Sequence, residues 1–391
     1  MNTSSTDPLP ISETYLFIRN YWDIIGGLLF SLLAFLFHLE HAVYFSTFFA
    51  AIGIAMLSVT VSEIAEILAV RLEEPYGSFV LTFSAVAVEI ILLFMIMLEV
   101  SNAPHAMETV KGGIISAVIV DMNVLLGLAV FIGGLSFKEQ EHNQDTSSTY
   151  TTILLVAAAA LLVPSILKET SQSYDDLVRS SIIISIVLFL FYIVIYIFQT
   201  RTHSHFFKAT ARSRFFRLRR HNAENGEESE ELIDTNYIFE RFSNLSNFIV
   251  IFFIIGVIGI GAEVFASDGM QLFSKYGISA GLAGLIIAII SVSPEIFTAI
   301  KAAKNDQMQR VVNIAMGAST VSIMLTVPVL MLLAYMNGIH LTLDFNTLQV
   351  GALILTVILA WKTTDDGETN YFEGLSHLMF FLCYAIITAF Y

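Results

Sequence analysis

Cysteine and charge are both scarce in this 391-residue sequence. Its one cysteine, Cys383, excludes an intramolecular disulfide framework and a cysteine-rich metal site. Charged residues are 14% of the chain, against about 25% in a soluble domain. No His-x-x-x-His or Glu-x-x-His pair falls inside an apolar run, which argues against an intramembrane metalloenzyme. With no nucleophile–base constellation either, the sequence reads as a non-enzyme without a cofactor. The net charge of −15 carries no signature of nucleic-acid binding, because acids and bases sit in short segments between apolar runs. The first 20 residues, with Asp7, Pro8, Pro10 and Glu13, lack the basic head and apolar core of a cleaved signal peptide. The first apolar stretch is therefore expected to be a retained span.

What is abundant is apolar length. Hydrophobic residues make up 56% of the chain, and the mean hydropathy is +0.74. Runs long enough to cross about 30 Å of hydrocarbon fall near 21–39, 42–70, 77–99, 112–134, 151–168, 178–199, 246–267, 277–301, 310–335, 346–361 and 371–390. This predicts an all-α polytopic membrane protein of about eleven transmembrane helices, with lipid as its surroundings. If the N-terminus is cytoplasmic, inside segments hold 15 of the 19 Lys and Arg and outside segments hold 4, the bias of the positive-inside rule. The large polar insertion, 200–245, opens on the basic "RTHSHFFKATARSRFFRLRR" and continues into the acidic "NAENGEESEELID". It reads as a solvated cytoplasmic linker. Its basic half can also lie on an anionic leaflet, and its acidic half can take a regulatory cation; His203 and His205 fall in it.

The linker separates two halves that resemble each other. "AEILA" at 65–69 matches "AEVFA" at 262–266, and each is followed by a Tyr-Gly pair and then an apolar helix with one glutamate. The first of these helices carries "SAVAVE", ending at Glu89, and the second "SVSPE", ending at Glu295. The expected organisation is an N-terminal segment with one extra helix (1–41), a five-helix repeat (42–199), the linker (200–245) and a second five-helix repeat (246–391). Five is odd, so the second repeat enters the membrane from the opposite side. Secondary transporters share this inverted plan, with the binding site near the midplane at the repeat interface.

Glu89 and Glu295 are the candidate cation- and proton-binding pair. Two facing carboxylates hold a hard cation through oxygen; when it leaves, their mutual repulsion lets protons take its place. Pro294 withholds a helical hydrogen bond from the carbonyl of Ile290, and a freed carbonyl lining a cavity is a cation ligand. Ser291 and Thr298 fall on the same helical face as Glu295. Asp121 and Asn123, in "VDMNVLLG", can add oxygen ligands; for Asn123 interhelical packing is an equal reading. The ninth helix offers Asn313, Ser319, Thr320 and Ser322. Glu63, Glu66 and Glu263 can relay protons or gate access, or can sit at the interface with Arg71.

The stretches "LAVRLEEPYGSFVLTFSAVAVE" (68–89), "NVLLGLAVFIGG" (123–134), "SVSPEIFTAIKAAKNDQMQRVVNIAMGA" (291–318) and "LTVPVL" (325–330) resemble the calcium/proton exchangers of the Ca2+/cation antiporter superfamily, in particular the bacterial ChaA-type branch. The resemblance implies two inverted sodium/calcium exchanger-type repeats in a bacterial inner membrane, with the main cation glutamates at Glu89 and Glu295. It implies gating or proton access at Glu66 and Glu263. The Gly-Asn-Ala that typically precedes each main glutamate is replaced by Val-Ala-Val and Val-Ser-Pro. Export of Ca2+ in exchange for H+ by alternating access is expected, with Na+ or K+ exchange as the alternative. A cation channel using the same carboxylates is the reading from another class.

Overall fold

The computed structural model describes residues 13–72, 76–103, 105–169, 173–207 and 237–390. Among them are eleven helical segments long and apolar enough to cross a membrane. Helix α1 (Glu13–Leu39) packs along α2 (Val43–Arg71), which is followed by α3 (Tyr76–Leu98). The fourth span is composite: α4 (Ala106–Val120), a π-helical turn over Asp121–Leu125, and α5 (Leu126–Phe137). Then come α6 (Gln144–Glu169) and α7 (Tyr174–Ile197). Beyond the linker lie the short α8 (Ile238–Arg241), α9 (Asn244–Tyr276) and α10 (Ala280–Lys304). The ninth span repeats the composite design, with α11 (Met308–Val321), a second π-helical turn over Ser322–Thr326, and α12 (Val327–Met336). Helices α13 (Thr347–Thr364) and α14 (Tyr371–Phe390) close the chain.

The composite fourth span is the most enclosed, while α1, α7 and α14 lie at the rim with apolar faces turned outward. Small residues let the central helices approach closely, as they do in membrane bundles generally. A Cβ on Gly284 of α10 would overlap the backbone nitrogen of Gly113 in α4 and lie 2.9 Å from the Thr109 carbonyl oxygen. A Cβ on Gly374 of α14 would overlap the Phe131 nitrogen in α5 and lie 2.7 Å from the Gly127 carbonyl oxygen. Gly284→Ala is therefore expected to destabilise the bundle by about 1–3 kcal/mol, the cost of overpacking. A thermal melt of the detergent-solubilised protein checks this; an unchanged midpoint would mean that α4 and α10 have room to part.

Polar ties close both ends of the bundle. At one end Asp344, in the segment before α13, accepts from Lys111 Nζ at 2.7 Å and Lys168 Nζ at 2.6 Å. Burial alone would raise the Asp344 carboxyl, but hydrogen bonds from Lys111, Lys168 and Thr342 outweigh it and hold the group below the usual carboxylate range. Lys111 is itself buried, which an amine tolerates only when paired. At the other end, strands β1 (Glu139–Glu141) and β2 (Glu368–Asn370) pair antiparallel, with Gln140 opposite Thr369.

The described ends of the linker are docked. The Phe206 carbonyl accepts from Asn143 and Thr146, and the Phe207 carbonyl from Asn313 Nδ2 at 2.8 Å. On the far side, Tyr237 stacks on Tyr21, and Arg71 donates to the carbonyls of Phe242 and Glu240. His203 and His205 lie beside one another at the first of these ends. The acidic half of the linker and most of its basic half lie outside the described residues.

Two details differ from expectation. The Tyr-Gly pairs are not equivalent: Tyr76 opens α3, whereas Gly277 ends α9 in the left-handed conformation (φ 64°) that glycine adopts without strain. The eighth span therefore starts at Ala280, where the Ser279 side chain caps the Leu282 amide, and not at 277. Pro294 also leaves α10 continuous from Ala280 to Lys304. The carbonyl that the proline deprives, that of Ile290, accepts instead from the Ser293 hydroxyl at 2.8 Å. A local hydroxyl replaces the missing amide, so no break is needed.

Candidate functional site

Three buried carboxylate oxygens without a hydrogen-bond partner mark the middle of the bundle: Glu89 Oε1, Asp121 Oδ1 and Glu295 Oε2. Each carboxylate is carried by a different element. Glu89 stands on α3, Asp121 opens the first π-helical turn, and Glu295 follows Pro294 in α10. All three lie within electrostatic reach of one another. An unpaired buried polar atom costs free energy. Three of them in one region, all acceptors, can be met chemically by a hard cation or by protons.

The two π-helical turns organise the site. The first follows a fifteen-residue helix and the second a fourteen-residue helix, so they fall at matching depths in their spans. Such turns occur often at functional sites, because the widened ladder re-aims side chains. The second turn serves Glu89: its Oε2 accepts from Ser322 Oγ at 2.9 Å and Thr326 Oγ1 at 3.2 Å. The first turn packs against α10, the helix of Glu295, and its Asp121 Oδ2 accepts from Ser319 Oγ at 3.2 Å. Glu89 thus bonds to the π-helical turn of the opposite half, and Glu295 lies within electrostatic reach of Asp121 in the other turn.

No three His, Cys, Asp or Glu side chains among the described residues close around one point as a metal cage would. The three carboxylates lie within electrostatic reach of one another without closing into a cage.

The other sequence candidates fall into three places. Ser291 is buried beside the site, with its hydroxyl donating to the Ala288 carbonyl at 3.1 Å, and Thr298 is half-buried one turn beyond Glu295. Asn123 is fully buried, but its amide is engaged by Ile119, Thr356 and His377. Glu63 and Glu66 lie towards the linker end of α2. Glu66 pairs with Arg310 at 2.5 Å, and Glu63 accepts from Tyr237 at 2.8 Å and faces Lys301 at 3.5 Å. Arg71 is occupied elsewhere, by Glu240 and the Phe242 carbonyl. Glu263 is exposed near the middle of α9, whereas Glu66 lies in the last turns of α2.

Sequence reasoning missed Thr326, the second hydroxyl on Glu89, because a threonine among apolar residues reads as packing. It also missed Asp268, buried in α9 and bound by Ser46 and by His38 Nδ1 at 2.9 Å. Only the absence of a nearby base in sequence could have flagged that carboxylate.

The family model described as sodium/calcium exchanger protein matches residues 41–201 and 246–390. The chain is 28% identical over 338 residues, 86% of each chain, to the sodium-potassium/proton antiporter ChaA of Escherichia coli (strain K12). It is 24% identical over 356 residues to the Ca(2+)/H(+) antiporter of Aphanothece halophytica, covering 89% of this chain and 91% of that one. Its fold is similar to that of native YfkE, with a TM-score of 0.75 at 21% identity over 94% of this chain and 100% of that one. The H+/Ca2+ exchanger CAX gives a TM-score of 0.66 at 14% identity, covering 94% and 91%. With the family model spanning most of its length in two copies, this multi-pass membrane protein belongs to the sodium/calcium exchanger protein family.

Proposed function

We propose that the chain is a secondary cation/proton antiporter that exports Ca2+ against H+ by alternating access. The observation that carries this reading is the set of unpartnered carboxylate oxygens on Glu89, Asp121 and Glu295, gathered from both family-matched halves. Loaded from the cytoplasm, the site holds the cation between the glutamates, with Asp121 as the third charge and Ser322, Thr326 and Ser319 orienting the carboxylates. After release on the far side, protons neutralise the acids, and the site returns without leaving bare charge in the membrane.

The two matched halves act as inverted five-helix repeats, with α1 as an extra helix. Support comes from their equal span number, their π-helical turns at matching depth and the bonds from the second turn to Glu89 in the first half. The Lys and Arg bias supports a cytoplasmic N-terminus in a bacterial inner membrane. In that orientation Glu66–Arg310 and Glu63–Lys301 tie α2 to α11 and α10 at the cytoplasmic mouth, where they can gate entry. For Glu263, exposed on α9, a proton-access role rests on the resemblance.

A monovalent reading has its own support in the similarity to ChaA, named a sodium-potassium/proton antiporter. The two are separated in everted vesicles with an acidic interior and a pH-sensitive dye, on addition of Ca2+, Na+ or K+ in turn. Lumen alkalinisation with Ca2+ is the expected result. A response confined to Na+ or K+ moves the protein to the monovalent reading, and silence with all three, in inserted protein, overturns antiport of these cations.

A further inference from the structure

The last two helices carry a buried polar chain that the exchange chemistry above does not use. His377 of α14 is fully buried, with Nδ1 at 3.0 Å from Asn123 Oδ1 and Nε2 at 3.0 Å from Thr363 Oγ1. Asn123 sits inside the first π-helical turn, two residues after Asp121. Its Nδ2 donates to the Ile119 carbonyl at 3.0 Å and to Thr356 Oγ1 at 2.9 Å.

The direction of the Asn123–His377 bond follows from the amide. A carbonyl only accepts, so the amide nitrogen of Asn123 must face Ile119 and its oxygen must face His377. Nδ1 of His377 therefore carries the proton, and in the neutral ring Nε2 accepts from the Thr363 hydroxyl. Every polar atom of the Asn123 amide is satisfied, as a buried network requires if it is to specify one conformation. The chain spans from the first half's π-helical turn to α13 and α14 in the second half. The close seam between Gly127 and Gly374 makes it possible, since a Cβ on Gly127 would lie 2.9 Å from the His377 Cβ.

We propose that His377 is a positioning residue of the exchange site: through Asn123 it fixes the π-helical turn that aims Asp121 at the cation. It touches neither cation nor carboxylate. Its effect is on the geometry of one ligand, so it acts on cation affinity more than on turnover. Ligand positions matter to about 0.5 Å at such sites, and a freed Asn123 can rotate and let the turn relax towards an ordinary helix. The assignment rests on the carboxylate exchange proposed above.

The test uses the full-length protein in everted vesicles, with KM and kcat for the transported cation measured alongside a thermal melt. His377→Leu keeps bulk and removes both polar atoms. His377→Asn places an amide donor where Nδ1 stood, whereas His377→Gln places its donor too far along the side chain. The expected result is a tenfold or larger rise in KM for His377→Leu and His377→Gln, with kcat within about threefold and KM for His377→Asn within about threefold of wild type. An unchanged KM in His377→Leu overturns the proposal. So does a loss that follows the melting midpoint, or one that His377→Asn shares in full, since either marks a packing role alone. Glu295→Gln, run in parallel, separates the two levels. If it exchanges normally, the carboxylate reading fails; if it is silent while His377→Leu is normal, only the positioning role fails.

Discussion

Glu295→Gln and Glu89→Gln are each expected to silence exchange in protein that inserts and melts normally. The exchange proposed for the site needs a group that is an anion towards the cation and a neutral acid towards the membrane. Glutamine keeps the volume and the acceptor oxygen, so at position 89 the bonds from Ser322 and Thr326 can persist. It cannot cycle between the two charge states. Removing one charged partner from a buried interaction costs about 2–5 kcal/mol, which at 1.4 kcal/mol per decade is a loss of about thirtyfold or more. Dye-reported proton flux in vesicles measures it. Normal flux from either variant would remove that carboxylate from the cycle.

Asp121→Asn is expected to separate divalent from monovalent cations. Three carboxylates lie within electrostatic reach of one another, and a dication gains twice as much as a monocation from each charge at a given distance. Removing the charge of Asp121 should raise KM for Ca2+ about tenfold or more and change that for Na+ or K+ by less than about threefold. The Ser319 hydroxyl at 3.2 Å from Asp121 Oδ2 can still bond to the asparagine oxygen, so the geometry is preserved. Equal losses for all three ions would show that Asp121 serves the site without setting its preference for charge. Two of the neutral asparagines that the resemblance leads one to expect are absent from the sequence, which leaves Asp121 as the natural place to look for selectivity.

Much of this is legible in the sequence for a physical reason: the bilayer demands continuous apolar length, and length is visible in sequence. All eleven expected spans are present, the fifth and tenth included. The apolar run of the seventh stops nine residues before the helix does, because Asp268 and Lys275 lower the local hydropathy. Asp268 is instead buried against His38 and Ser46, and the helix runs on to Gly277. Glu89, Glu295 and Asp121 could be picked out because an acid inside an apolar run has no cheap explanation. What the sequence could not reveal is which hydroxyl serves which acid. Ser322 and Thr326 reach Glu89 from 233 and 237 residues away, and no local pattern encodes that. Pro294 illustrates the reverse case, in which a strong local signal is answered by the serine beside it.

A π-helical turn holds one more residue than the helical ladder around it would use. In an α-helix each residue advances the face by about 100°, so the extra residue sets the second part of the span out of phase with the first. Within the fourth span the leading part turns Gly112 and Gly113 towards α10, while the trailing part turns Gly127 and Gly134 towards α14. Both seams can be glycine-lined, on different sides of one continuous rod, because the surplus residue lies between them. Shortening the segment 121–125 by a single residue would swing the trailing glycines away from α14 by roughly a quarter turn. The site and the scaffold thus depend on the same insertion, and a chain that lost it would have to find a new partner for half of its central helix.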